Sequence, residues 1–404
     1  MSRKFLLDHR LLFLFGYFFY LATPVLVGYT KVFADLPGVD LYLAFFDQVP
    51  QAQLQTYFII TASWLPAFFA GDLVVRLFSP LRSGPVRFRQ DSQSRSLWLI
   101  AIVLLAAFLA FAYLSRASLF GGYASYDIAA RGKLSTLLMV LTFFLMYDRV
   151  TDQSHSFLIP LLTLLTAVLL LSMGGRMYVF QVFIVILVYK TSLAKRKWGA
   201  GRLILFLLSG FVLGAILGAW RMGLRPDALL GVYSFLAEPA FTWFSVMTYL
   251  SNNDLVAFSW PGNFLSSFLN LVPNTLFAVK PYLVSLESMA LGYQNPLGAD
   301  SIWTNLVINF GFIGSAVFMF CTGGLFALLK QMAGYRRFWA VYYLMVCGVI
   351  PFQFFRDGFY LLHKQLLFNF LLFPAAVLLM LRLLLLLQQG WLRQVERMDR
   401  PAVS

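Results

Sequence analysis

Long apolar stretches separated by short polar breaks make up most of the chain. We read ten such runs, at 11–30, 55–79, 97–114, 134–147, 157–173, 177–193, 203–220, 303–329, 338–355 and 365–388. A helix needs about 20 mostly apolar residues to cross the hydrocarbon core of a bilayer; the fourth run is the short one. The pattern predicts an all-α polytopic transmembrane bundle of about ten spans, with residues 1–404 forming a single integral-membrane domain.

Composition agrees. The 404 residues are 60% hydrophobic and 12% charged, against about 25% charged in soluble domains. A cytosolic enzyme, a nucleic-acid-binding module and a disordered protein are excluded on that ground. Aromatic residues at 18% suit lipid-facing surfaces and interfacial belts. The two cysteines, Cys321 and Cys347, sit inside apolar runs and suggest neither a metal framework nor a disulfide. The first run follows Arg3, Lys4 and Arg10, but no small-residue cleavage site follows it, so it reads as a span rather than a signal peptide.

Charge sets the orientation. The formal net charge is +14, and with the N-terminus inside, the larger share of Lys and Arg falls on short inner connections. These carry Arg82, Arg87, Arg89 and Arg95, then Lys195, Arg196, Lys197 and Arg202, then Lys330, Arg336 and Arg337. The positive-inside rule therefore puts both termini in the cytoplasm. The inner connections are too short for a nucleotide-binding domain, and no G-x-x-x-x-G-K-[ST] loop is present.

One outer connection is long, residues 221–302, and it is not polar. Apolar stretches at 228–237, 239–250 and 264–279 are punctuated by Pro226, Pro239, Pro261, Pro273, Pro281 and Pro296. Proline ends or kinks helices, so two or three amphipathic or re-entrant helices are expected here, with Trp243 and Trp260 as interfacial anchors. Irregular backbone at membrane depth requires protein or a wet cavity to satisfy it. The loop thus implies an outward-facing cavity.

Candidate chemistry lies with the outer cations. Arg176 follows Ser172-Met173-Gly174-Gly175, a tight hairpin between two spans. Arg221 and Arg225 are i, i+4 after Trp220, Arg356 follows Phe354-Phe355, and His363 and Lys364 open the last span. Any one such arginine could snorkel to lipid phosphates; several delivered by separate helix ends to one level suit a phosphate or diphosphate, which a guanidinium grips bidentately. Glu238 stands out as an acid embedded in an apolar stretch, with a helix-end ion pair as its plainer explanation. His363 is the only outer imidazole and could serve as a base or as an interfacial hydrogen-bonder. Asp127 and Arg131 read as an ordinary ion pair. No outer acids stand in D-x-D spacing, so neither a metal nor another cofactor is indicated.

This arrangement resembles the bacterial O-antigen and exopolysaccharide repeat-unit polymerases (Wzy-type), in the group that also contains O-antigen ligases. The likeness covers most of the chain as architecture. At residue level it rests on Gly174-Gly175-Arg176, Trp220-Arg221, Asn295-Pro296-Leu297-Gly298 before Asn305 and Gly311, and Phe355-Arg356-Asp357-Gly358-Phe359. The resemblance implies a GT-C-like glycosyltransferase in the bacterial inner membrane. It would move a growing glycan from undecaprenyl diphosphate to a lipid-linked repeat unit at the periplasmic face, inverting the anomeric centre without a metal. Carried over, Arg176, Arg221 and Arg356, with Arg225 in second place, would hold the diphosphates, and Glu238 or His363 would act as base. Undecaprenyl-diphosphate-linked glycans and membrane lipid are the implied partners, with a chain-length regulator and a flippase beside them; no nucleic acid is. The alternatives are a lipid-linked oligosaccharide flippase, which would need polar groups deep in several spans, and a ligase differing only in acceptor.

Overall fold

A computed structural model describes residues 7–32, 34–35, 39–78, 97–119, 128–150, 156–194, 197–221, 228–272, 277, 279–286, 290, 292–294 and 300–398. Every regular element among them is helical. Six helices are long and apolar enough to cross a membrane: His9–Thr30, Gln51–Phe78, Ala130–Arg149, Arg176–Leu193, Ile302–Met332 and Phe359–Gln388. Four shorter apolar helices, Trp98–Leu114, Leu158–Ser172, Gly201–Gly214 and Arg337–Val349, fall on four of the other apolar runs.

Boundaries differ from the hydropathy reading where local chemistry intervenes. The short fourth run belongs to a longer helix, Ile128–Arg149, whose ends are polar and so invisible to hydropathy. The run 338–355 is not one helix. Arg337–Val349 ends before Pro351, and a single turn, Gln353–Arg356, follows. In the long connection, Ala228–Asn252 is one helix carried through Pro239. Trp243 is fully buried in it, against Tyr57 and Phe46 (ring centroids 5.2 and 5.6 Å), and is no interfacial anchor; Trp260 is 76% exposed.

The core is built on Gln51–Phe78. It runs parallel to Ile302–Met332, with Tyr57 against Trp303 and the Trp64 indole donating to Ser315 Oγ at 2.9 Å. Further along, Gly71 and Gly323 let the backbones meet: a Cβ at either would come within about 2 Å of the Phe320 or Phe68 carbonyl oxygen. Close approach through small residues supplies packing where lipid removes the hydrophobic drive between helices. On its other side His9–Thr30 runs antiparallel. Tyr17 and Tyr57 hydroxyls donate to the Thr61 and Leu21 carbonyls, each at 2.8 Å, and Phe13 stacks on Phe68 at 3.7 Å.

Gly311 interrupts Ile302–Met332 with φ 72° and ψ −179°, a backbone that favours glycine. The amides beyond the break, Phe312 and Ile313, donate to the Val256 and Ala257 carbonyls at 2.9 and 3.0 Å. The break thus stitches the segment after Ala228–Asn252 to the core, satisfying groups that would be costly to leave unpaired.

One end of the bundle is closed by charge. His9 Nε2 lies 3.1 Å from Asp72, which also pairs with Arg76. His9 Nδ1 is 2.8 Å from the Tyr343 hydroxyl. Asp8 caps the first helix, accepts from Arg10 Nε at 2.9 Å and pairs with Lys330 at 2.6 Å. Arg337 donates to the Tyr147 carbonyl at 2.6 Å, and the Tyr189 hydroxyl to that of Arg149 at 2.7 Å.

Candidate functional site

At the other side of the first span's midpoint, five segments converge on a small, partly open cleft of about 40 Å³. The first span contributes Phe19 and Tyr20 from a π-helical turn, Phe18–Ala22. Such bulges recur at functional sites because they re-aim side chains. Tyr20 lies eleven residues beyond His9, roughly 16 Å along the axis at a helical rise, so the cleft is sunk within the bundle rather than at its rim.

Arg176 reaches the cleft because of the hairpin before it. The Leu158–Ser172 helix ends with Gly174 at φ 78°, and the Gly174 and Gly175 amides cap the Leu171 and Leu170 carbonyls at 3.0 and 2.8 Å. The next helix then opens on Arg176, with Met177 and Phe180 also facing the cleft. Glu238 and Phe235 come from Ala228–Asn252, and Phe352 from the break after Arg337–Val349. Apolar rings thus form the walls, with one cation and one acid among them.

Arg356 enters through Glu238, to which its guanidinium is ion-paired. Phe355 fixes its height: it packs against Gly16 so closely that a Cβ there would lie 2.5 Å from the ring. On its other side Arg356 pairs with Asp357 at 3.1 Å and contacts Met177 Sδ at 3.6 Å. Asp357 is held in turn by Gln353 Nε2 at 2.9 Å, and Gln353 Oε1 accepts from Gln181 Nε2 at 2.5 Å. Gln365 donates to Gln181, and Asn369 to Gln365, so a buried polar chain runs from the last span to the cleft.

The electrostatics follow from this packing. Burial alone would pull the Arg356 guanidinium down, but Glu238 and Asp357 outweigh it and hold its pKa above the ordinary value. Burial pushes Asp357 above the usual carboxylate range, partly opposed by Arg356, Gln353 and Arg131. Arg176, partly buried, has no carboxylate partner among the described residues.

The expected site residues therefore divide. Arg176, Glu238 and Arg356 are brought together. His363 is not with them: it accepts or donates across 2.6 Å to Ser267 Oγ and stacks on Phe268 at 4.0 Å, beside Phe264 and Phe359. Arg221 ends the helix Ala200–Arg221, but its side chain lies outside the described residues, as do Arg225, Asp127 and the Asn295-Pro296-Leu297-Gly298 motif. Asn305 is fully buried and donates to the Ser301 carbonyl at 2.8 Å, next to Asn309, which accepts from the Phe264 amide at 2.7 Å; both are packing contacts.

The sequence points to Asp357 only as part of the Phe355–Phe359 motif, and gives no sign of Tyr20 or of the glutamine chain beyond amide side chains within apolar runs, at Gln181, Gln365 and Asn369. Among the described residues no three His, Cys, Asp or Glu side chains are grouped to hold a metal ion. No protein-family model, curated protein or solved structure matches this chain.

Proposed function

We propose that the chain is a polyprenyl-diphosphate-dependent glycosyltransferase that polymerises lipid-linked oligosaccharide repeat units at the outer face of the bacterial inner membrane. In this reading the ten apolar helices all span, both termini are cytoplasmic, and residues 221–302 belong to the periplasmic side. Supporting that orientation, Asp8, His9, Asp72, Arg76, Lys330 and Arg337 cluster at one end of the bundle, the end that the charge bias assigns to the cytoplasm.

The observation that carries the reading is that Arg176 and Glu238, from distant stretches of sequence, line one apolar-walled cleft, with Arg356 ion-paired to Glu238 behind it. Aromatic and aliphatic walls suit the prenyl end of a carrier, and two guanidinium groups suit its diphosphate. As the glycosyl bond breaks, charge builds on the departing diphosphate, and fixed guanidinium groups stabilise it without reorganisation. Glu238 is placed to take the proton of the attacking hydroxyl.

The test is a strain lacking the chain, complemented with Arg176→Ala or Arg356→Ala, with surface glycan length read on a gel. Single-repeat glycan at normal protein levels is expected; long polymer from both variants would remove the assignment. Long polymer in the uncomplemented strain would point to transfer elsewhere, as for a ligase. A flippase is the second reading, favoured by the fully buried His9, Asp72 and Tyr343 group at the closed end of the bundle. It predicts repeat units stranded on the inner leaflet instead.

A further inference from the structure

Four buried amides stand in line behind Arg356. Asn369 donates to Gln365, Gln365 to Gln181, Gln181 to Gln353, and Gln353 Nε2 to Asp357 Oδ2 at 2.9 Å. They come from three segments: the π-helical turn Lys364–Leu372, the helix Arg176–Val188 and the single turn Gln353–Arg356. None of the four is more than 4% exposed. Leucine or methionine would fill such places as well, and a buried amide costs free energy unless its hydrogen bonds are made.

Every amide in the line points the same way. A carboxylate ion-paired to arginine offers only lone pairs, so Gln353 has to present its NH2 to Asp357 and its oxygen to Gln181. Gln181 must then donate, and so must Gln365 and Asn369 behind it. The far end bears the consequence: Asn369 Oδ1 is buried with no hydrogen-bond partner among the described residues. The direction is therefore set at Asp357, and a head-to-tail row polarises each member further toward the carboxylate. Asp357 commits its other oxygen to Arg356 Nη1 at 3.1 Å, and that same nitrogen lies 3.6 Å from Met177 Sδ. The row thus ends on the guanidinium.

We propose that Gln353 is a positioning residue: backed by Gln181, Gln365 and Asn369, it holds the Asp357 carboxylate turned toward Arg356 and so fixes where that guanidinium sits. Its bearing on glycosyl transfer rests on the reading of Arg356 given above; its hold on Asp357 does not. The charged and titratable groups around Asp357 are Arg356 and Glu238, Arg131 from Ile128–Arg149, Tyr178 from Arg176–Val188 and Tyr360 from the last span. Burial pushes the Asp357 carboxyl up, and Arg356, the Gln353 donor and Arg131 oppose it. Loss of the donor should push it further up.

The experiment is an infrared titration of the purified full chain in detergent, following the carbonyl stretch of the protonated acid that Asp357→Asn removes. Against the native chain, Gln353→Met should move that band to higher pH. Gln181→Leu should move it the same way by less, and Asn369→Leu least, because each stands further back in the row. A merely structural amide would lower the melting temperature and leave the titration where it is. An unmoved band in Gln353→Met overturns the proposal, as does a band that appears in none of the forms; should that variant not fold, an unmoved band in Gln181→Leu does so. In the complemented strain, Gln353→Met should shorten the surface glycan at normal protein levels. Long polymer from Gln353→Met, where Arg356→Ala gives single repeats, would overturn the positioning role. A moved band with long polymer from Arg356→Ala itself would leave the hold on Asp357 standing and remove the polymerase reading.

Discussion

Among the described residues, two of the groups of buried charge are built on different principles. At the closed end, Asp8 meets Arg10 and Lys330, while Asp72 meets His9 and Arg76; both acids are at most 2% exposed. Asp8 and Asp72 each have two partners, and the group clasps the first span to Gln51–Phe78 and Ile302–Met332. Beside the cleft, Arg356 has two acids, one of them partly exposed, and Arg176, which lines it, has no acid partner among the described residues. Saturated pairing fixes helices in place. Pairing left incomplete beside open space gives a ligand something to complete.

The contrast can be broken by mutation. The largest effect is expected from Asp72→Ala, which takes the shared carboxylate from both buried His9 and Arg76. Loss of a partner from a buried pair costs about 3–5 kcal/mol, so thermal melting in detergent should fall steeply. Arg176→Ala should do the opposite, leaving the melt nearly unchanged while glycosyl transfer drops by about a hundredfold or more, the scale for removing a group that stabilises transition-state charge. Equal melting losses in the two variants would erase the distinction between clasp and site.

Smaller effects sharpen it. Gly323→Val drives a side chain into the Phe68 carbonyl and should cost about 1–3 kcal/mol, lowering the melt without altering diphosphate binding. The smallest effect is a pH dependence of the clasp. Burial alone would raise the Asp8 pKa, but Arg10 and Lys330 outweigh it and hold it down, from 3.8 to about 2. A carboxylate whose pKa is depressed by folding contributes stability above its unfolded value and loses it as pH falls toward the folded one. Melting temperature should therefore decline from pH 3.8 to about pH 2 in the native chain, and Asp8→Asn should flatten that part of the curve.

Much of this was legible in the sequence because lipid is a simple solvent. Each apolar run had to become a helix that satisfies its own backbone, and glycines at 174 and 175 announced a hairpin that delivers Arg176. Glu238 was conspicuous as an acid in apolar surroundings, and Arg356 as a cation at a helix end. Proline either ends or kinks a helix, and at Pro239 the sequence does not tell which; the helix runs through it. Neighbouring segments bury that helix on several sides, with Trp243 and Phe244 in the core, and hold it continuous. His363 was grouped with the arginines on its place in the chain alone, and the fold gives it an aromatic nest with Phe264 and Phe268 instead.

Sequence alone determined that the chain is helical and apolar enough for a membrane, where its hydrophobic runs lie, and which residues carry rare charge among them. It did so because hydropathy and helical length are local quantities. Tertiary structure decided which charges are saturated: that Asp72 finds both His9 and Arg76, that Arg356 lies between Glu238 and Asp357, and that Arg176 lines one cleft with Glu238. Those outcomes depend on distances between segments far apart in the chain, and on how closely Gly16, Gly71 and Gly323 let their helices approach, which no local pattern encodes.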